Sequence, residues 1–182
     1  MLSSNIIRLF HHRWVPPILA ELHRSRGSRF VALVHRLGVG RETLARTLGV
    51  LVEDDLVARN PGYGHPLRPE YVLTEAGFRV APSCVELLQI LERLDAADPG
   101  LKKWSMPVAA ALAGEERRRF SDMQQALPGV SGRALAFALK DLIRAGLVER
   151  TVLEDYPPAT LYRLTPRARL LRPILSRLAE VV

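Results

Sequence analysis

Apolar positions change period within one stretch of the chain, residues 131–162. Leu135, Leu139 and Leu142 recur at helical spacing between Ser131, a suitable N-cap, and Gly146, a helix stop. At about 100° per residue, Arg133, Phe137, Lys140 and Arg144 fall together on the face opposite the leucines. The spacing therefore predicts a helix with a buried apolar side and a cationic free side. Residues 147–153 and 160–165 follow as short strand-like runs around the turn Tyr156-Pro157-Pro158, which predicts a two-stranded hairpin.

The same pattern occurs earlier in the chain. Arg29-Phe30, Leu37, Gly38-Val39, Leu44-Ala45, Leu48, Leu51, Leu56-Val57, Arg59, Tyr71, Leu73-Thr74 and Pro82 find identical partners. These are Arg119-Phe120, Leu127, Gly129-Val130, Leu135-Ala136, Leu139, Leu142, Leu147-Val148, Arg150, Tyr162, Leu164-Thr165 and Pro173. Trp14 and Pro17 match Trp104 and Pro107, an offset of 90 that holds up to Leu37 and becomes 91 afterwards. A unit of that length has the size of a small domain rather than of a solenoid repeat. Helix followed by hairpin is the order of a winged helix. The chain is thus expected to be mainly α with small β-hairpins (α+β): two tandem winged-helix domains, residues 1–98 and 99–182.

In the first repeat, helices are expected at 17–24, 30–37 and 41–54, and a hairpin at 56–71. Leu44, Leu48 and Leu51 supply the inward stripe of the third helix, and its outward positions are Glu42, Arg46, Gly49 and Glu53, an acidic face overall. Ile6, Ile7, Phe10 and Trp14 are expected to form the apolar side of an N-terminal helix. Arg24 to Ser28 is expected as a loop, and Ser121 with Gln124 as a capping box. Arg119 repeats Arg29, a candidate for one structural bond shared by both copies. Thr74 and Thr165 are placed to cap long helices at 75–97 and 167–182, which Pro82 and Pro173 would kink. Asp98-Pro99-Gly100 reads as the linker between the repeats.

Charge sharpens this picture. The 182 residues carry 26 Lys and Arg against 19 Asp and Glu, a formal net charge of +7, which suits a polyanionic partner. Residues 1–100 hold 12 basic against 11 acidic side chains, whereas 101–182 hold 14 against 8, so the second repeat carries most of the excess. A single cysteine, Cys84, excludes an internal disulfide. The N-terminal residues lack the pattern of a secretory signal, and no apolar run approaches the ~20 residues of a membrane span. A cytoplasmic protein with no membrane partner is expected.

Catalytic chemistry finds little footing. All five histidines, His11, His12, His23, His35 and His65, lie in the first repeat, and no cysteine pair, HExxH or carboxylate spacing joins them into a metal site. The glycines fall at helix ends and turns rather than in a phosphate-cradling loop. No enzyme activity, cofactor or metal is expected.

Several motifs carry a more specific resemblance. Lys103-Trp104, Arg119-Phe120-Ser121, residues 127–131 (LPGVS), residues 146–150 (GLVER), Pro157-Pro158 and residues 161–165 (LYRLT) resemble the HxlR-type family of bacterial transcriptional regulators over nearly the whole second half. The first half resembles it more weakly, through Arg13-Trp14, Arg29-Phe30, Leu56-Val57, residues 66–71 (PLRPEY) and Leu73-Thr74. The resemblance implies a winged helix that dimerises through its terminal helices and binds double-stranded operator DNA. Two copies on one chain then imply a single-chain counterpart of that dimer, two tandem winged-helix domains arranged as a pseudo-dimer whose long helices at 75–97 and 167–182 pack together, and whether two such chains associate further stays open. On this reading Ser131, Arg133, Phe137, Lys140 and Arg144 face DNA from the second repeat, and Arg41, Arg46 and the wing residue Arg68 from the first. The position aligned with Arg68 is Ala159, beside Glu154 and Asp155. The terminal segment holding Ile6 and Phe10 either joins the dimer-type interface or covers its own domain. Some members sense oxidants through a cysteine just before the first helix. Neither Arg13-Trp14 nor Lys103-Trp104 has one there, and Cys84 reads as a small buried hydrophobe. Two other functions stay open: a tandem winged-helix module that binds protein, and a ligand-responsive regulator with an inter-domain pocket and an unknown effector.

Overall fold

The computed structural model of the chain describes residues 4–60, 69–114, 117–153 and 158–181. Both repeats build the same order of elements. The first has helices α2 (Val15–Ser25), α3 (Phe30–Leu37) and α4 (Arg41–Glu53), strands β1 (Ser28–Arg29), β2 (Val57–Asn60) and β3 (Glu70–Leu73), and the long helix α5 (Glu75–Arg93). The second has α7 (Ser105–Ala113), α8 (Phe120–Ala126) and α9 (Gly132–Arg144), strands β4 (Arg118–Arg119), β5 (Val148–Leu153) and β6 (Ala159–Leu164), a 3₁₀ turn (Arg167–Leu171) and α10 (Arg172–Val181). Two further helices lie outside this order, α1 (Ser4–Leu9) and the single turn α6 (Ala97–Gly100). The protein is mainly helical with two small antiparallel sheets, as the sequence pattern predicts.

Each sheet has three strands rather than two, in the order β1-β3-β2 and β4-β6-β5. The hairpin registers correspond: Val57 faces Leu73 in the first sheet and Val148 faces Leu164 in the second. The unforeseen third strands are two residues each and run straight into a helix. Arg29 and Arg119 are those last strand residues, and both hold an extended backbone (φ −80°, ψ 152° and φ −78°, ψ 162°) as N-caps of α3 and α8. What they share is this strand-to-helix turn, not a side-chain bond. Arg29 pairs with Glu70 at 3.4 Å, while the residue opposite Arg119 is Leu161. At α8 the Asp122 carboxylate accepts from the Arg119 N–H at 3.1 Å, so the cap is built earlier in the chain than the expected Ser121 and Gln124 pair.

Three other expectations shift for physical reasons. The Arg24–Ser28 loop shrinks to Arg26 and Gly27, both at positive φ, because α2 continues through Ser25. Asp98-Pro99-Gly100 is not an open linker: it forms α6, whose Gly100 lies against Leu91, where an added Cβ would come within 2.7 Å of the leucine side chain. The C-terminal helix is broken, since the 3₁₀ turn precedes α10. Pro173 is then the second residue of α10 and kinks nothing, whereas Pro82 lies inside α5. Thr74 and Thr165 do cap as expected. The Gly77 N–H donates to Thr74 Oγ1 at 3.0 Å and the Ala168 N–H to Thr165 Oγ1 at 3.4 Å. Each hydroxyl in turn donates to the turn that precedes the hairpin, at Asp55 O and Gly146 O.

By its packing the described chain divides into two compact units, one within His12–Glu86 and the other joining the residues before His12 with those from Leu87 onward. In the first unit Leu44, Leu48 and Leu51 of α4 are buried with Leu33 of α3 and Leu19 and Leu22 of α2. In the second, α1 packs on α7 and α10, burying Ile6, Leu9 and Phe10. The N-terminal helix therefore covers helices of the second repeat rather than of its own. In the same unit the Arg167 guanidinium donates to the carbonyl of Leu94, satisfying an acceptor just past the end of α5. No helix among the described residues is long and apolar enough to cross a membrane.

Candidate nucleic-acid interface

Helix α9 takes its orientation from its leucines. Leu135, Leu139 and Leu142 are fully or almost fully buried with Ala138, and burial on that scale is worth roughly 1.5–3 kcal/mol per large side chain. Ser131 caps the helix, its Oγ accepting the Ala134 N–H at 3.1 Å, and Gly146 at φ 67° ends it in the left-handed turn that glycine tolerates. With the helix so fixed, Arg133, Phe137, Lys140 and Arg144 are all exposed on one face. The Arg133 guanidinium stands 5.6 Å from the centre of the Phe137 ring, and Phe137 is 54% exposed. The one acidic residue of α9, Asp141, is engaged by Lys102 at 2.8 Å. The outward face thus presents three cations around an aromatic ring.

Helix α4 is built the same way with a different surface. Leu44, Leu48 and Leu51 are buried, and Glu42, Arg46, Gly49 and Glu53 are exposed. Arg46 reaches back to Glu42 at 3.2 Å, an exposed pair one turn apart that leaves little net positive field at that point. Arg41, at the first turn, lies with its guanidinium 5.4 Å from the Phe30 ring centre. In place of the serine cap of α9, Gly40 precedes α4 with no side-chain cap.

The HxlR-like helix-turn-helix family profile matches the chain twice, over residues 9–97 and 101–182. The chain belongs to this family. Relatives include the HTH-type transcriptional regulator YvaP of Bacillus subtilis, 38% identical over 80 residues, covering 43% of this chain and 72% of that protein. Another is sll1512 of Synechocystis, 33% identical over 107 residues, covering 59% and 76%. Among solved structures, a possible HxlR family transcriptional factor from Thermoplasma volcanium is 28% identical, with 68% of this chain and 92% of that one covered and a TM-score of 0.40. The redox regulator HypR in its oxidized form is 27% identical over 49% of this chain and 91% of its own, with a TM-score of 0.44. The family is one of transcriptional regulators rather than enzymes.

Within that family frame, the structure gathers Ser131, Arg133, Phe137, Lys140 and Arg144 on one helix, and Arg41 and Arg46 on the other. Arg68, with the tip of the first hairpin, lies outside the described residues, as do Glu154 and Asp155 of the second. Ala159 is buried at the start of β6. Among the described residues no group of three or more His, Cys, Asp or Glu could hold a metal ion. Cys84 is fully buried on α5, and burial pushes its thiol up to about 12 from an ordinary 9.0, as a packed thiol would be. Sequence reasoning missed the Lys102–Asp141 pair, whose members are 39 residues apart and carry no local signal. It also missed that Trp104 and Ser105 adjoin α9.

Proposed function

We propose that this protein is a cytoplasmic DNA-binding transcriptional regulator that reads sequence through two non-identical heads carried on one chain. The observation that supports it most is the α9 face: Arg133, Lys140 and Arg144 exposed around Phe137, on a helix whose other side is fixed by buried leucines. A helix of this build suits the major groove, where an arginine pairs with guanine O6 and N7 and an apolar ring meets a thymine methyl. Ser131 and Arg144, at the two ends of the helix, are assigned to phosphate. Arg41, Arg46 and Arg68 would contribute from the first repeat, against the carboxylates of Glu42 and Glu53. The repeats, residues 1–98 and 99–182, would then serve as the two halves of a dimer-like reader, with α5 and α10 as their packing helices and an asymmetric operator as their target.

The test is anisotropy of a labelled duplex from upstream of the protein's own gene against a scrambled duplex, across a salt series. A sequence-specific regulator prefers the upstream duplex and gives a log-log salt slope of several units, about −0.9 for each neutralised phosphate. Arg133→Ala should lower the preference by about 1–3 kcal/mol of discrimination. Unchanged affinity in that variant would remove the arginine from the interface. A second reading is favoured by the acidic α4 face and the exposed Phe137: a head that binds protein. Equal, weak binding to both duplexes together with a stable partner in pull-down would move the assignment there.

A further inference from the structure

A pocket of about 250 Å³ opens beside α9, between its Ala134, Phe137 and Ala138 and the Trp104-Ser105 start of α7. Roughly 150 Å³ accommodates a benzene ring, so this volume suits one substituted ring. Its exposed lining is mostly apolar, although Lys102, Lys103, Asp141 and Ser105 also line it. Ser105 is 1% exposed, lines the pocket, and its hydroxyl has no hydrogen-bond partner among the described residues. A buried hydroxyl without a partner is destabilising, and the fold does not demand one here. The aligned position in the first repeat is Val15, also buried, which does the packing with no polar atom. The other walls differ between the copies as well. Ala134, Phe137, Ala138 and Asp141 stand where the first repeat has Thr43, Arg46, Thr47 and Val50, and the tryptophan alone is kept, as Trp14. Small side chains on α9 thus leave space where bulkier or polar ones stand in the sister copy.

The charge at the rim narrows the occupant. Lys102 is held by Asp141 at 2.8 Å, and the Lys103 ammonium lies 5.5 Å from the centre of the Trp104 ring, so both cations already have partners. An apolar pocket with one orphan hydroxyl and a satisfied rim suits a neutral ligand. We propose that this pocket binds a small neutral aromatic molecule bearing one hydroxyl or carbonyl group, with Ser105 as its hydrogen-bond partner and Trp104 and Phe137 against its ring. Phe137 belongs both to the pocket wall and to the exposed cationic face, where it carries Arg133. Occupancy therefore bears on the side chains assigned to DNA; that consequence, unlike binding itself, rests on the DNA-binding reading above.

The probes are p-cresol and toluene, which differ in one hydroxyl, titrated calorimetrically into the full chain and its Ser105→Ala and Ala134→Leu variants. The wild type is expected to bind p-cresol at least fivefold more tightly than toluene. Ser105→Ala should close that gap without loss of thermal stability, and Ala134→Leu, which fills the space, should abolish both. Absent binding at millimolar ligand, equal affinities in the wild type, or affinities unmoved by Ala134→Leu would overturn the site. Saturating p-cresol should also shift affinity for the upstream duplex by threefold or more. Binding of both ligand and duplex with no shift would overturn the link to DNA. Binding of p-cresol by a protein that holds no DNA would sustain the pocket and reject the regulator reading.

Discussion

Gly77 and Cys84 show how closely single residues of the first repeat are constrained. A Cβ at Gly77 would stand 2.0 Å from the carbonyl oxygen of Leu56, so α5 can lie on that backbone only with glycine in its first turn. The aligned residue is Ala168, fully buried, and there the chain takes a 3₁₀ turn instead of beginning an α-helix. Gly77→Ala should cost about 2–3 kcal/mol in denaturant unfolding, while Gly49→Ala, on an exposed helix face with open space around the added Cβ, should gain up to about 1 kcal/mol. Cys84 carries a pH signature. Its thiol titrates at about 12 in the fold and near 9 once exposed, so the unfolded chain loses this proton first as pH rises. The thiol's contribution to stability is complete below pH 9 and is lost between 9 and about 12. Cys84→Ala should flatten the alkaline decline of the unfolding midpoint relative to wild type, and the native thiol should resist thiol reagents at neutral pH.

At the scale of elements, what the sequence disclosed follows from the length over which a period can repeat. Helices α4 and α9 were legible because three leucines at helical spacing in each agree with the signals that start and stop a helix. Strands β1 and β4 were not, because two residues carry no alternation and their pairing with β3 and β6 is a long-range event. Helix α6 was hidden by its own composition. Asp-Pro-Gly signals a break, yet proline fits the first turn of a helix and Gly100 is there for its packing against Leu91. The candidate face of α9 was readable for the same reason as the helix, being the complement of its leucines. The pocket beside it was not, since Ser105 acquires meaning only once its burial is known. Helix caps then separate stability from recognition. Ser131→Ala removes the Oγ acceptor of the Ala134 N–H and should cost about 1 kcal/mol of unfolding free energy. Ser131→Asp keeps an acceptor at the cap and should restore most of that stability. On the proposed DNA-binding reading it also sets a negative charge beside the phosphates, so it should still weaken DNA binding. Full affinity in the aspartate variant would take Ser131 out of the interface.

For the whole molecule, the decisive quantity is how the positive charge is shared between repeats. Residues 101–182 hold 14 basic against 8 acidic side chains and residues 1–100 hold 12 against 11, and the outward faces of α9 and α4 repeat that imbalance locally. On α9 the acidic Asp141 is occupied by Lys102, leaving Arg133, Lys140 and Arg144 outward, whereas on α4 Arg46 is itself occupied by Glu42. Counterion release scales with phosphates neutralised, so on the proposed two-headed reading the repeats should differ in salt slope as well as affinity. Lys140→Glu with Arg144→Glu should flatten the log-log slope by about 2 units, at about 0.9 for each phosphate no longer neutralised, and remove most of the affinity. Arg41→Glu with Arg46→Glu should flatten it by about 1 unit, because Arg46 is already paired with Glu42 and Arg41 alone is left to neutralise phosphate. Salt-series anisotropy of the three proteins on one duplex measures both numbers. Equal effects in the two double variants would mean that the heads share the phosphates evenly despite their surfaces. A larger effect in the α4 variant would place the main reading head in the first repeat.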